Sequence, residues 1–259
     1  MVPSITRRRL LCSVAAVLAR PLAAQVASRG AGDQKTDLAL ANHILAAHQI
    51  FDAYGHVSVR SAANPQHYWM TRSLAAELVR PEDILEYDLD SKVVGNNSAS
   101  VFLERFIHGE IYKARPDVNS VVHCHTPSLI PFGDTDVALR PMFGLAGFLA
   151  EGVPVFDTRK NFGMTDLLVN NPARGKALAQ TLGSKPVALM RGHGAVVVGS
   201  SLQLAVGRCV YLDMNARVQQ QAAALGGRIN FLTPEEGKQS VADDYRRAWE
   251  LWRREAMAH

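Results

Sequence analysis

Cysteine is scarce in this sequence of 259 residues: three are present, and Cys12 lies in an N-terminal segment unlike the rest. Cys124 and Cys209 follow no spacing of a disulfide framework or a thiolate metal site. Two small buried residues are the expectation, with one bridge between them as the alternative. No stretch reaches the roughly 18 uninterrupted apolar residues of a permanent membrane span. Repeats and low-complexity tracts are also missing, so nothing points to a repeat architecture. A basic surface is lacking too. The net charge is +4, and Arg7, Arg8, Arg9 and Arg20 supply four positive charges with no acid among residues 1–24. The remainder is balanced, which excludes a basic nucleic-acid binder despite a sequence pI of about 9.1.

What the N-terminus does contain is an address. Thr6-Arg7-Arg8-Arg9-Leu10-Leu11 leads into an apolar run to Leu18, then Ala19-Arg20-Pro21-Leu22-Ala23-Ala24-Gln25. A charged start, a short apolar run and a small-residue exit predict a signal peptide over residues 1–25, and the consecutive arginines point to the twin-arginine route. Periplasmic or secreted placement follows, without membrane association once the segment is cleaved; a cytoplasmic protein follows if it is not a signal. Leu22-Ala23-Ala24 is a weak small-x-small match, so the cleavage position stays open. Residues 26–35 read as a linker and residues 36–259 as one catalytic domain, long enough and, at 47% hydrophobic, apolar enough for a sizeable core.

Within that domain, Leu38, Leu40, Ile44, Leu45, His48 and Phe51 set a helical period that Gly55 closes. His56-Val-Ser-Val-Arg60 alternates as a half-buried strand does, and Tyr68 to Thr71 is a second strand. Ile84 to Asp88 and Lys92 to Val94 flank an Asp90-Ser91 turn, predicting a hairpin. Helices are expected over Val101 to Ala114, Pro172 to Leu182 and Leu202 to Leu225. Strands are expected over Asn119 to His125, Val153 to Asp157, Val187 to Met190 and Val196 to Val198. Thr233-Pro-Glu-Glu236 is a capping-box start for one last helix carrying Tyr245, Trp249 and Trp252. The interleaving lacks regular βαβ spacing, which favours a mixed or antiparallel sheet layered with helices.

Three motifs carry chemistry. In His123-Cys124-His125 the alternation of a strand sends both imidazoles to one face, close enough to share a cation. Gly192-His193-Gly194 frees a third imidazole between two glycines. Glu104, on the helix before the first histidine strand, is a fourth ligand or a base. Three imidazoles leave an open position, as catalytic metal sites do. Each motif alone has a plain structural explanation; together they point to a metal centre of His123, His125, His193 and Glu104.

The run Gly55-His-Val-Ser-Val-Arg60, then Glu104-Arg-Phe-Ile-His108, Tyr112, Arg115-Pro-Asp-Val-Asn-Ser-Val-Val-His123-Cys-His125, then Gly192-His193-Gly194, resembles the class II aldolase/adducin family over residues 36–230. The resemblance implies a three-layer α/β/α domain around a largely antiparallel sheet and a homotetramer with active sites between subunits. It also implies one divalent metal per subunit, with Glu104 as the catalytic carboxylate. Zinc or manganese is expected, with cobalt and iron as alternatives. Family members that cleave phosphorylated sugars hold the phosphate with a Gly-Asn pair and a Ser-Ser pair before the glutamate. Here His56 follows Gly55, and Phe102-Leu103 precede Glu104, so a sugar phosphate is not the expected substrate.

The His-Val-Ser-Val-Arg and Leu-Met-Arg-Gly-His-Gly forms are similar to the branch that decarboxylates hydroxypyridine dicarboxylates and dihydroxyphthalate. The expected activity is therefore metal-dependent decarboxylation of a hydroxylated aromatic or other hydroxy or keto carboxylate through a stabilised enolate. Glu104 is the expected proton carrier. Cationic or polar clamps for the carboxylate are sought in His56, Ser58, Arg60, Arg72 and His108, the last one turn beyond Glu104. Relatives place a histidine where Gly144 stands, which implies a changed pocket. Alternatives are an aldolase or epimerase on an unphosphorylated hydroxy-carbonyl compound, oxygen chemistry at iron, and a non-catalytic module like the adducin head; retained ligands argue against the last.

Overall fold

A computed structural model describes residues 31–240 and 244–258. The signal-peptide reading of residues 1–25 lies outside these. The first helix, α1 (Ala31–Ala47), begins inside the stretch read as a linker. Gln34 is part of the fold: its amide donates to Arg60 O at 3.1 Å and its carbonyl accepts from Ala62 N at 3.0 Å. The helix also stops earlier than Gly55. Ile50 N and Phe51 N both return to Leu45 O, at 2.9 and 3.1 Å, around a left-handed Gln49.

Seven strands follow: β1 (His56–Arg60), β2 (His67–Thr71), β3 (Ile84–Asp88), β4 (Ser120–Cys124), β5 (Val155–Phe156), β6 (Val187–Met190) and β7 (Gly194–Gly199). They form one sheet in the order β3-β2-β1-β4-β7-β6-β5, and only the β5–β6 pair is parallel. The predicted hairpin survives in reduced form, as a single Tyr87–Val93 bridge around a left-handed Ser91.

Alternation along the strands divides the core. Val57, Val59, Val122, Cys124, Ala195 and Val197 face α1, α6 (Leu202–Ala224) and α8 (Arg246–Met257). Val121, Val196 and Val198 face α2 (Phe106–Ala114) and α5 (Pro172–Leu182), which pack on each other. Each fully buried valine contributes roughly 1.5–3 kcal/mol, so a one-residue slip in register would be prohibitive. The three-layer α/β/α expectation holds, with a largely antiparallel sheet. Short helices α3 (Ile130–Asp134), α4 (Arg159–Phe162) and α7 (Pro234–Ser240) lie in the connections.

The last predicted helix is two. The capping box at Thr233 is present, with Thr233 N to Glu236 Oε2 at 2.8 Å and Glu236 N to Thr233 Oγ1 at 3.2 Å. A left-handed Tyr245 then restarts the chain as α8. Tyr245, Trp249 and Trp252 belong to the core of the α1/α6 face. Cys124 and Cys209 are free and buried in that same layer. Gly144 sits against Ser240 of α7, so a larger residue there would meet that helix.

One contact fixes the centre of the sheet. Gly194 opens β7 so close to β4 that a Cβ would run into the Cys124 carbonyl oxygen. Gly194→Ala is expected to push the strands apart and cost about 3 kcal/mol or more in urea unfolding. Gly227→Ala, where a Cβ meets nothing within 4 Å, should be near neutral.

Candidate metal centre

β4 and β7 are neighbours, and the ends of the two strands bring the imidazoles together. His123 stands on β4 and His125 just past its end, while His193 immediately precedes β7 after the left-handed turn at Gly192. Glu104 arrives from the far side of the layer, in a 3-10 turn (Leu103–Arg105) that leads into α2. Four ligand atoms, one each from Glu104, His123, His125 and His193, lie within 4.8 Å of one another. His123 Nε2 and His193 Nε2 are 3.0 and 3.2 Å from His125 Nε2. Glu104 Oε2 is 3.4 Å from His123 Nε2 and 3.3 Å from His193 Nε2.

Every imidazole is aimed by its other nitrogen. His123 Nδ1 meets Ala195 O at 3.1 Å and His193 Nδ1 meets Leu167 O at 3.1 Å. His125 Nδ1 lies 3.3 Å from both carboxylate oxygens of Asp52. Carbonyl and carboxylate oxygens only accept, so each Nδ1 carries the proton and each Nε2 offers a bare lone pair to the centre. This is the donor set that a divalent cation of borderline softness requires, and the residues fit one.

Glu104 is anchored in the same manner. Its Oε1 accepts from Val169 N at 2.7 Å, leaving Oε2 for the cluster. Burial raises its pKa, but the adjacent His123 and His193 outweigh that and hold the carboxyl well below its ordinary range. Burial, then the neighbouring His123 and His193, pull His125 down to about 4, against the opposing pull of Asp52. Asp52 went unnoticed in the sequence. Its Oδ1 also accepts from Tyr54 N at 2.8 Å and Gly55 N at 3.0 Å, an Asx turn that locks its direction.

The expected substrate clamps fare differently. Arg60 is no clamp: its guanidinium donates to Val118 O, Pro65 O, Tyr112 O and Arg115 O at 2.7 to 3.1 Å. Charged hydrogen bonds of this kind are worth roughly 1.5–3 kcal/mol each, so it braces the β1–α2 layer. Ser58 and His108 are buried and bonded to each other, with Ser58 Oγ 2.6 Å from His108 Nδ1. Both His108 nitrogens are taken by β1, at His56 and Ser58, and the backbone at Glu104 (φ −89°, ψ 16°) is not helical, so the i, i+4 relation does not hold there.

His56 does reach the centre. It pairs with His123 across β1 and β4, and the two rings are 5.1 Å apart between centroids. Phe102 lies against it at 4.5 Å. Arg72, just past the end of β2 and two residues beyond Met70, the partner of Ser58, is part-exposed and held by Asp83 at 2.8 Å.

Residues 36–220 match the family described as Class II Aldolase and Adducin N-terminal domain. The chain is 38% identical over 239 residues to a protein named decarboxylase tropJ from Talaromyces stipitatus, covering 82% of this chain and 90% of that one. It is 30% identical over 217 residues to 3,4-dihydroxyphthalate decarboxylase from Arthrobacter keyseri, covering 75% and 81%. In fold it is similar to an aldolase II superfamily protein from Pseudomonas syringae, with a TM-score of 0.73, 21% identity, and 88% and 94% of the two chains aligned. The chain belongs to the class II aldolase and adducin family.

Burial of neutral histidine leaves a measurable trace. Desolvation, and then the charge of His123, press His108 from 6.5 down to about 3. The unfolded chain therefore takes up that proton first. The stabilisation is complete above about pH 6.5 and is lost as pH falls toward 3. In metal-depleted protein, urea unfolding should lose about 2 kcal/mol from this group between pH 7 and pH 5. His108→Gln should lose that slope, whatever its absolute stability.

Proposed function

We propose that the protein is a divalent-metal-dependent decarboxylase of a hydroxylated aromatic carboxylate. The observation that carries this reading is the convergence of three bare Nε2 atoms and Glu104 Oε2 on one point. His123, His125 and His193 would hold the cation with Glu104, and zinc or manganese suits that set best. When bound, the metal supplies a Lewis acid for the substrate oxygen beside the breaking bond.

The chain's own residues supply the rest. Glu104 is tethered through Oε1 to Val169 N, so Oε2, a ligand until substrate displaces it, is the atom that can take the substrate's hydroxyl proton and return it to carbon after carbon dioxide leaves. Phe102 covers His56 and keeps water from that wall. His56 flanks the centre and, with Arg72 past the end of β2, suits an anionic group on the substrate. The sequence relatives named as decarboxylases support carboxylate cleavage over aldol cleavage, as does the apolar Phe102 where phosphate-binding members carry a hydroxyl.

Two further expectations belong here. Exposed apolar side chains next to the ligand-bearing segments, Tyr54 and Leu103, support a homotetramer in which a neighbouring copy covers the centre. Export by the twin-arginine route rests on Arg7, Arg8 and Arg9 and the apolar run after them.

Purified protein should hold about one metal per chain and release carbon dioxide from a panel of hydroxylated aromatic carboxylates that includes 3,4-dihydroxyphthalate. His123→Ala/His125→Ala should lose both; metal without release in the unaltered protein would favour an aldol reaction instead. Asp52→Ala, which frees His125 to rotate, should weaken metal affinity roughly 10- to 100-fold in chelator competition.

A further inference from the structure

Four histidines surround the centre, and the fourth is held differently from the three ligands. His56 Nδ1 is 2.7 Å from His108 Nε2, His108 Nδ1 is 2.6 Å from Ser58 Oγ, and Ser58 Oγ is 2.8 Å from the Tyr112 hydroxyl. The four side chains form one unbroken string under α2, each at most 1% exposed. An N···N contact of that length needs one bare nitrogen and one N–H, so the string has a direction, and both orders must be tried.

The direction is settled at the far end. A buried phenol must donate its proton, and the one acceptor within reach of Tyr112 among the described residues is Ser58 Oγ. Ser58 then spends its own proton on His108 Nδ1. A neutral His108 is left with its proton on Nε2, which it donates to His56 Nδ1. His56 must in turn be protonated on Nε2 if it is neutral. In the reverse order the Tyr112 proton has no acceptor and is stranded in the core, at a cost that the forward order avoids. A doubly protonated His108 would bury an uncompensated charge.

The three ligand histidines are fixed the opposite way, with the proton on Nδ1 and the lone pair on Nε2. We infer that the string Tyr112–Ser58–His108 locks His56 as its Nε2–H tautomer, which denies it to the metal and makes it a neutral hydrogen-bond donor to a carboxylate oxygen of the substrate. His56 Nε2 has no partner among the described residues, its one side-chain hydrogen bond being that of Nδ1 to His108. Tyr112, Ser58 and His108 are positioning residues in this scheme; His56 alone touches substrate. The role for His56 rests on the proposed carboxylate chemistry, whereas the tautomer rests on the hydrogen bonds alone.

Nitrogen-15 NMR of histidine-labelled, zinc-loaded protein reads the tautomers directly. The expected spectrum shows, besides His108, a neutral ring that is lost in His56→Gln, protonated on Nε2 and not bound to metal. A His56 protonated on Nδ1, or shifted by zinc, overturns the inference. Binding of 3,4-dihydroxybenzoate, a simple carboxylate probe, is then compared at equal zinc content. His56→Leu should weaken it roughly 10- to 100-fold, the worth of one hydrogen bond to a charged group. His56→Gln, whose amide N–H falls where Nε2–H was, should recover most of it. Tyr112→Phe should mix the His56 tautomers in the spectrum and weaken the probe by about tenfold, with zinc retained. Equal binding by His56→Leu and the unaltered protein overturns the donor role. Failure of the unaltered protein to hold zinc or the probe would instead sink the proposed function, while the spectrum still decides the tautomer.

Discussion

Cys124 pairs with Ala195 across β4 and β7, and Gly194 passes so close to the Cys124 carbonyl that no side chain fits between. From this tight seam the rest of the molecule can be followed outward. It sets His123, His125 and His193 at one end of two neighbouring strands, so strand register brings the candidate ligands together and the turns beside the strand ends complete their aim. It also lets the Ala195 carbonyl reach back to His123 Nδ1, so the same pairing that builds the sheet aims the first ligand. The valines on both faces of these strands hold the seam between two layers of helices, which is why a site made of polar groups sits on the best-buried part of the chain.

The parts of the site that were legible in sequence are those whose geometry is local. A two-residue period in a strand places His123 and His125 on one side without any knowledge of the fold. Glycines around His193 mark a turn by composition alone. Glu104 was legible through its spacing from His123 within a family resemblance, since a single acid on a helix says little by itself. The supports were not legible. Asp52 is 73 residues from His125 in sequence, and Leu167 O and Val169 N are backbone atoms that any residue would provide.

The misreadings have local causes as well. Arg60 shares its strand face with His56, as alternation predicts, but four residues of strand carry it beneath the end of α2, where carbonyls from four residues take four of its five N–H groups. His108 was placed on the Glu104 face by helical spacing, but the backbone at Glu104 is not helical and His108 meets the sheet instead. The last predicted helix is described as two, Pro234–Ser240 and Arg246–Met257, the second opening at a left-handed Tyr245 that a tyrosine does not advertise in sequence. The layer architecture was robust to these errors, because it depends on the apolar pattern of whole strands and helices.

The short segment that holds Glu104 and His193 does so through one amide, Val169 N, and one carbonyl, Leu167 O, two residues apart. Neither contact uses a side chain of the segment itself. The contacts to Glu104 and His193 therefore need the backbone path of that segment, which the buried Val169 and the left-handed Leu167 help to fix. Substitutions there can reshape the wall beside the centre while the cluster keeps its form, provided the backbone path is kept. A fold that positions reactive groups with main-chain atoms leaves the exposed side chains beside them, such as Met164, freer to vary than the groups they flank.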